Sequence, residues 1–441
     1  MFYIVESDDQ LELLKSYGKN GGYIEIIPNN DNLHPKLAST VAVYLRPLNH
    51  KEGYIIPIDH DEGICISKER LSTVLDEYST LYTLNRKDLL YHINTHGLLD
   101  VSLLYSMIEY DRLDIFNNNK VYNWYYSKHA NHLDINKLIP ISKHHEKCEE
   151  NYSKLKYLFD IEIPSGFEFY NELSTNVFYL VEQQGLGIFH NAFVELFNPK
   201  NPLYNVINNS VLTSYNLYNA TSRPTNAFNS VNFAAIPKSE KHRKCFKPQN
   251  DKFIEFDFDG YHLRLLCDQI GYRLTDESAH KQLAKIYFDK EDITEDEYSE
   301  AKQLNFQAIY GKIPKKYKNL EIFRLIQEYI DKMWATYQEN DKVVNPQSGK
   351  PFTNKLKRMN PAKLMNYMMQ SLETSNNVLI LKDVLRYLKN KKTKIALYTY
   401  DAILFDFSKE DGKQTLLDIE EIMGREGKFP IKHKFSNNLV L

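Results

Sequence analysis

The stretches Phe253-Ile-Glu-Phe-Asp257-Phe-Asp-Gly260 and Ile395-Ala-Leu-Tyr-Thr-Tyr-Asp401-Ala402 each raise one carboxylate from the end of a hydrophobic run. Their β-branched and aromatic residues predict strands. Asp257 closes its strand and precedes a helix expected over Tyr261–Ile270, and Asp401 falls between two apolar runs, Ile395 to Thr399 and Ala402 to Phe407, as at a hairpin tip. Both acids then stand at strand ends of one sheet. Two such carboxylates suit a pair of Mg2+ ions, which take carboxylate oxygens and keep several waters. Paired ions clamp the attacking and leaving oxygens of a phosphoryl transfer.

Between the two acids lies Lys302-Gln-Leu-Asn-Phe306-Gln-Ala-Ile-Tyr310-Gly311. Thr294 and Glu297 form a capping-box signature ahead of it, so a helix is expected to begin there. Lys302, Phe306 and Tyr310 recur every four residues and share one helical face. A lysine on that face can hold a triphosphate as a point charge. Phe306 can pack on a sugar and base, and Tyr310 can stack on a template base. Gly311 ends the run, where a residue without a β-carbon is cheapest. Two metal-binding acids facing a cationic, aromatic helix form the working part of a nucleotide polymerase.

At 441 residues the chain has room for roughly three ordinary domains. A net charge of −3 does not advertise a nucleic-acid partner, but three local runs do: Lys241-His-Arg-Lys244 with Lys247 and Lys252, Lys312 to Lys318, and Lys389 to Lys394. Tyr (32) and Phe (23) are so abundant that an aromatic residue by itself is read as core. The four cysteines show no CxxC spacing, which points away from zinc and from a disulfide framework. His144-His145 near Cys148 is read as part of a surface helix. The first residues lack the basic start and apolar run of a signal peptide, and no segment reaches the length of a membrane span. A soluble protein of a reducing cytoplasm is expected.

The order and spacing of these motifs resemble family A DNA polymerases. Asp257-Phe-Asp-Gly-Tyr-His-Leu-Arg264 is similar to the family's first palm motif, Lys302 to Gly311 to its fingers motif, and Thr399-Tyr-Asp401-Ala to its second palm motif. Thr221-Ser-Arg223 with Asn232 to Pro237 resembles the segment entering the palm, and Asn366-Tyr-Met-Met-Gln370 the minor-groove reader. The resemblance covers about residues 165–441. It implies a mixed α+β, right-hand architecture with a palm sheet, helical fingers (about 275–345) and a reduced thumb, preceded by an RNase H-like α/β domain of exonuclease type. The implied domains are 1–160 (exonuclease-like), 161–220 (reduced thumb and connector) and 221–441 (palm and fingers).

The implied activity is template-directed addition of dNTPs to a primer 3′-hydroxyl, as in phage DNA replication in an infected bacterial cytoplasm. By resemblance, Asp257, Asp401 and the backbone carbonyl of Phe258 bind two Mg2+ ions, with Mn2+ as an alternative. His280 and Lys302 hold the triphosphate, while His262, Phe306 and Tyr310 meet the nucleoside. Arg223, Asn366, Gln370, Tyr400 and Gly311 contact the primer-template.

Three positions depart from the family pattern. His262 replaces a Glu that excludes the ribose 2′-hydroxyl; it is still bulky, so preference for deoxynucleotides is expected. Tyr298 replaces an Arg directed at the triphosphate, and a lysine of the 312–318 run is expected to substitute. Ala402 replaces an auxiliary acid. Only a short Asn- and Pro-rich segment stands where the family has its thumb, which implies low processivity and a processivity factor or other replisome partner. In residues 1–160, Tyr23-Ile-Glu25-Ile-Ile27 carries one acid where a nuclease needs two, Asn85-Arg-Lys-Asp88 keeps part of a second motif, and no final Asp stands near Glu149-Glu150-Asn-Tyr152. The nuclease is therefore expected to be inactive. Two other readings stand beside the polymerase. One is a single-subunit RNA polymerase, which would want a small residue at 262. The other is a non-catalytic DNA-binding accessory subunit, which would have lost its metal ligands.

Overall fold

Residues 3–115, 119–197, 206–226, 231–237, 239–310, 313 and 315–441 are described by the computed structural model. The chain forms two units: residues 1–163 with 199–208, and residues 164–198 with 209–441.

The first unit is built on a six-stranded mixed sheet in the order Tyr3–Ile4, Tyr54–Pro57, Thr40–Pro47, Gly22–Pro28, Leu81–Thr83, Leu98–Asp100. Gly22–Pro28 runs antiparallel to Thr40–Pro47, with Ile24 opposite Leu45, and parallel to Leu81–Thr83. Both faces of the sheet are covered. Alternation sends Ile24, Val43 and Leu45 to one face, against Leu11 and Leu14 of the helix Asp8–Lys15 and Leu71 and Val74 of the helix Lys68–Leu75. It sends Tyr23, Ala42 and Tyr44 to the other, against Cys148 and Leu155 of the helix Ile141–Leu155. Each fully buried leucine contributes about 1.5–3 kcal/mol. The last helix corrects the surface reading of His144-His145. Both histidines and Cys148 lie on its buried side, where His144 Nε2 is 2.8 Å from the carbonyl of Asn136 and His145 Nε2 is 3.2 Å from that of Gly53.

The second unit holds a four-stranded antiparallel sheet in the order Lys394–Thr399, Ala402–Phe407, Lys252–Phe258, Ile431–Ser436. The sheet core is aromatic and aliphatic: Phe253, Phe256, Ile403 and Phe405 are all buried. Its outer strand Ile431–Ser436 carries Lys432 and Lys434, charges that discourage edge-to-edge pairing. A helix of 27 residues, Pro361–Tyr387, starts with Asn360 as cap and Pro361 in its first turn, as the fixed proline φ favours. It packs against the helices Thr175–Val181, Tyr261–Ile270, Glu321–Asn340 and Gln414–Gly424. Contact on several sides explains why buried residues occur around its whole circumference.

Between Ile188 and Thr221 the described residues include one eight-residue helix, His190–Phe197, and short strands at Ser210–Val211 and Tyr215–Asn216. Residues 198–205, most of the Asn- and Pro-rich segment, lie outside the described residues, as does Gly311. No described helix is long and apolar enough to cross a membrane.

One glycine is required by the turn from the central strand into the helix Tyr261–Ile270. Gly260 has φ +58°, and a β-carbon there would sit 2.9 Å from the β-carbon of Ala279. Gly260→Ala should lower unfolding stability by about 1–3 kcal/mol through backbone strain and this contact, read as a shifted midpoint in urea denaturation.

Candidate active site

The register of the central sheet brings the two sequence-predicted aspartates together. Asp257 pairs opposite Ala402, and the N–H of Phe258 donates to the carbonyl of Asp401 at 3.0 Å. Asp401 and Tyr400 form the tip of the hairpin between Thr399 and Ala402. Tyr400 is left-handed there, with φ +66°, a conformation that costs a residue with a β-carbon energy unless its neighbours hold it. Two neighbours do so. Asn377 Nδ2, on the long helix, donates to the Tyr400 carbonyl at 2.8 Å. The Arg223 guanidinium stacks 3.7 Å from the centre of the Tyr400 ring.

Asp257, Asp401, Lys302, His280, His262, Phe306, Tyr310 and Arg223 all line one cleft of about 360 Å³. Asp257 is half-buried, and burial followed by the charge of Asp401 pushes its carboxyl up to about 6. Solvent reaches Asp401 at the hairpin tip, but the protein crowded around it raises its pKa too, and Glu373 adds to the rise. Two like charges forced together in this way resist ionisation. Among the described residues no group of three or more His, Cys, Asp or Glu side chains is placed to hold a metal. The available donors are the two carboxylates and nearby backbone oxygen, a hard-oxygen set that fits Mg2+ retaining several waters.

The opposite wall is the helix Glu295–Ile309, opened by the expected capping box between Thr294 and Glu297. Lys302 and Phe306 are exposed on it, and Tyr310 is its C-cap. His280 belongs to the helix Ala279–Phe288 and is held by a chain that sequence reading missed. Tyr287 donates its hydroxyl to Asn305 Oδ1, which leaves Asn305 Nδ2 to donate to His280 Nδ1 at 3.0 Å. The ring must then carry its proton on Nε2, the atom nearer Gly260. Burial, opposed by Asp259 and reinforced by Lys302 and Lys432, pushes His280 down to about 4, so it enters the cleft as a neutral N–H donor.

Glu373 is another residue that the sequence reading missed. It is 1% exposed, one turn beyond Gln370 on the long helix. Its Oε2 lies 2.8 Å from Arg223 Nε and its Oε1 3.1 Å from His262 Nε2. One buried carboxylate thereby fixes two cleft residues from separate elements. Arg223 follows Ser222, itself left-handed at φ +55°, whose hydroxyl accepts from the buried amine of Lys350 at 2.5 Å. Gln370 and Asn366 do not line the cleft. They continue the Glu373 face of the helix, where Gln370 Nε2 donates to Asn366 Oδ1 at 3.0 Å and Gln370 Oε1 accepts from Thr221 at 3.2 Å. The described residues of the three basic runs lie away from the cleft lining; Lys244, for example, pairs with Glu240 and Lys392 with Glu410.

No protein-family model matches the sequence, and no curated protein does. Among solved structures, the chain is similar to the polymerase (POL) domain of Pol1 from M. smegmatis, solved in complex with DNA primer-template and dNTP. The TM-score is 0.70 at 11% sequence identity, over 100% of this chain and 99% of that one. The chain has the fold of a DNA polymerase domain.

Within that fold the acid pair has a cost in stability. Asp257 ionises near 6 when folded and near 3.9 when unfolded, so above pH 6 the folded state alone bears the unfavourable charge. As pH falls from 6 to 4 the folded protein takes up the proton first and the penalty disappears. Asp257→Asn should therefore raise the melting temperature of the metal-free protein at pH 8, with the gain shrinking toward pH 4. Thermal melts in chelator across that range check it.

Proposed function

We propose that the protein is a template-directed DNA polymerase of family A type, extending a primer 3′-hydroxyl with dNTPs. The observation that carries this reading is the convergence of Asp257 and Asp401 with Lys302, His280, Phe306 and Arg223 on one cleft. In this reading Asp257, Asp401 and the Phe258 carbonyl hold two divalent cations, which when bound activate the primer hydroxyl and neutralise the triphosphate.

The chain's own residues do the positioning. Lys302 places a point charge against the triphosphate, and the Nε2–H of His280 donates to a phosphate oxygen. Phe306 packs on the incoming nucleoside and Tyr310 on the template base. His262, anchored by Glu373, stands where it can crowd a ribose 2′-hydroxyl. Arg223, anchored by the same carboxylate, meets the primer end, with Tyr400, Gln370 and Asn366 beside the duplex. Contacts to phosphate, sugar and the degenerate minor-groove edge make binding independent of sequence. Phage DNA replication, with a processivity factor to offset the reduced thumb, is the setting in which we place it.

The first unit we read as a nuclease-type module without nuclease activity. Glu25 accepts from Asn151 Nδ2 at 3.0 and 3.1 Å and from the Tyr23 hydroxyl at 2.9 Å. Asp100 caps the helix Val101–Glu109 by accepting the Leu103 N–H at 2.9 Å. These acids are committed to hydrogen bonds within the protein.

Primer extension tests the activity. Wild type should elongate a primed template with dNTPs and prefer them over rNTPs by about 100-fold or more in kcat/KM. Asp401→Ala should lose at least about 10³-fold in rate. Failure of wild type to extend, or extension by Asp401→Ala at the wild-type rate, overturns the reading; indifference between dNTPs and rNTPs favours an RNA polymerase. With dNTPs withheld, a mismatched primer should stay intact. Shortening that Asp88→Asn abolishes would show a working nuclease.

A further inference from the structure

The cleft holds a cation that no motif of the sequence announced. Lys432 comes from the edge strand Ile431–Ser436, directly across from Asp257, so the two side chains leave the same face of the sheet. It lines the cleft together with Lys302 and His280. Lys302 enters from the helical wall and Lys432 from the sheet. Electrostatic interaction also links Lys432 to Tyr298, the position where an arginine is expected by resemblance. The described lysines of the 312–318 run are not in the lining, and Lys316 Nζ lies 3.2 Å from the hydroxyl of Tyr317. Lys312 lies outside the described residues; among the described ones, the lysine that interacts with Tyr298 comes from the edge strand.

The partner of Lys432 is suited to exchange. Nζ lies 2.5 Å from Asp259 Oδ1 while 59% of the lysine side chain is exposed. Asp259 does not depend on this contact alone. Its Oδ2 accepts the Ala279 N–H at 2.8 Å and lies 3.7 Å from Arg264 Nη2. If the ammonium swings away, the carboxylate keeps a hydrogen bond and a guanidinium. Lysine carries its charge on a flexible four-carbon stem, so such a swing is inexpensive.

Charge balance gives the exchange a purpose. Asp257, Asp259, Glu373 and Asp401 line the cleft against Arg223, Lys302 and Lys432 among its described lysines and arginines, and Arg223 is held by Glu373. A polyanionic tail entering there finds Lys302 and Lys432 as the lysines able to meet it. We propose that Lys432 is a binding residue for the triphosphate of the incoming nucleotide, releasing Asp259 to take the outer phosphate oxygens. The proposal rests on the polymerase reading above.

Single-nucleotide incorporation by wild type, Lys432→Met and Lys432→Arg tests it. Lys432→Met should raise KM for dNTP about tenfold while kcat falls less than about twofold and affinity for primer-template is unchanged; Lys432→Arg should restore most of the KM. Position 432 is an exposed edge-strand site, and a thermal melt confirms that each variant is folded. An unchanged KM, a loss confined to kcat, or an equal loss of DNA affinity overturns the proposal. Binding of inorganic tripolyphosphate, followed by calorimetry, separates this outcome from failure of the polymerase reading. If wild type extends no primer yet binds tripolyphosphate several-fold more tightly than Lys432→Met, the anion site stands and the polymerase falls. Equal binding by the two proteins removes the site.

Discussion

Everything in the cleft depends on holding two carboxylates side by side that would separate if free. What holds them is not polar. The register of Lys252–Phe258 against Ala402–Phe407 is set by the apolar side chains of both strands, with Phe256 and Phe405 edge to face at 5.3 Å. Side chains alternate along a strand, so a slip of one residue would send Asp257 to the opposite face of the sheet. It would also turn Phe256 out of the buried apolar face it shares with Ile254 and Phe258, and burial of such a ring is worth more than the repulsion between two partly solvated acids. The hydrophobic pattern therefore aims the acids, and the acids contribute nothing to the fold that aims them.

A second layer consists of buried polar residues whose role is orientation. Glu373 sets Arg223 and His262, Asn377 holds the hairpin tip, and Asn305 fixes the tautomer of His280. Each is nearly inaccessible to solvent, where an unsatisfied polar group would cost about 1–3 kcal/mol. That cost favours keeping the hydrogen bonds of Asn377 and Asn305, while the ion pairs of Glu373 tie Arg223 and His262 to one carboxylate. Groups facing substrate are then held by partners that substrate never meets, which keeps the cleft preorganised.

What could be read beforehand follows from this division. Residues at a strand end or on a periodic helix face were legible: Asp257, Asp401, Lys302 and Phe306 each carry a local signal, as does the capping box at Thr294. Glu373, Asn377 and Asn305 carry none. They lie within long helices whose other buried residues, Asn376 apart, are apolar or small, and nothing in the linear order tells which helix turns toward the hairpin. Lys432 was hidden for a different reason. On an edge strand a lysine ordinarily reads as a charge that discourages aggregation, and only the pairing with Asp257 turns it toward the cleft. The strands Leu81–Thr83 and Leu98–Asp100 escaped because three residues are too few to show alternation.

The chain also contains its own control for what makes a carboxylate reactive. Glu25 in the first unit is as buried as a metal-binding acid could be, yet an amide and a phenol hydroxyl occupy both of its oxygens. Asp406, one strand residue from Phe405, is likewise inaccessible and accepts the backbone N–H groups of Gln249 and Asn250 at 2.9 Å. Such acids are satisfied by the protein and have little left to offer a ligand. Burial raises Asp406 as well, but the N–H groups of Gln249 and Asn250 oppose that rise. At Asp257 burial and two acidic neighbours raise it, and only the more distant charges of Lys432 and Lys434 oppose them. A carboxylate that the fold leaves in electrostatic debt is one that a divalent cation can relieve. A carboxylate is common to all three sites; the supply of donors within the fold is what distinguishes a structural acid from one kept available for chemistry.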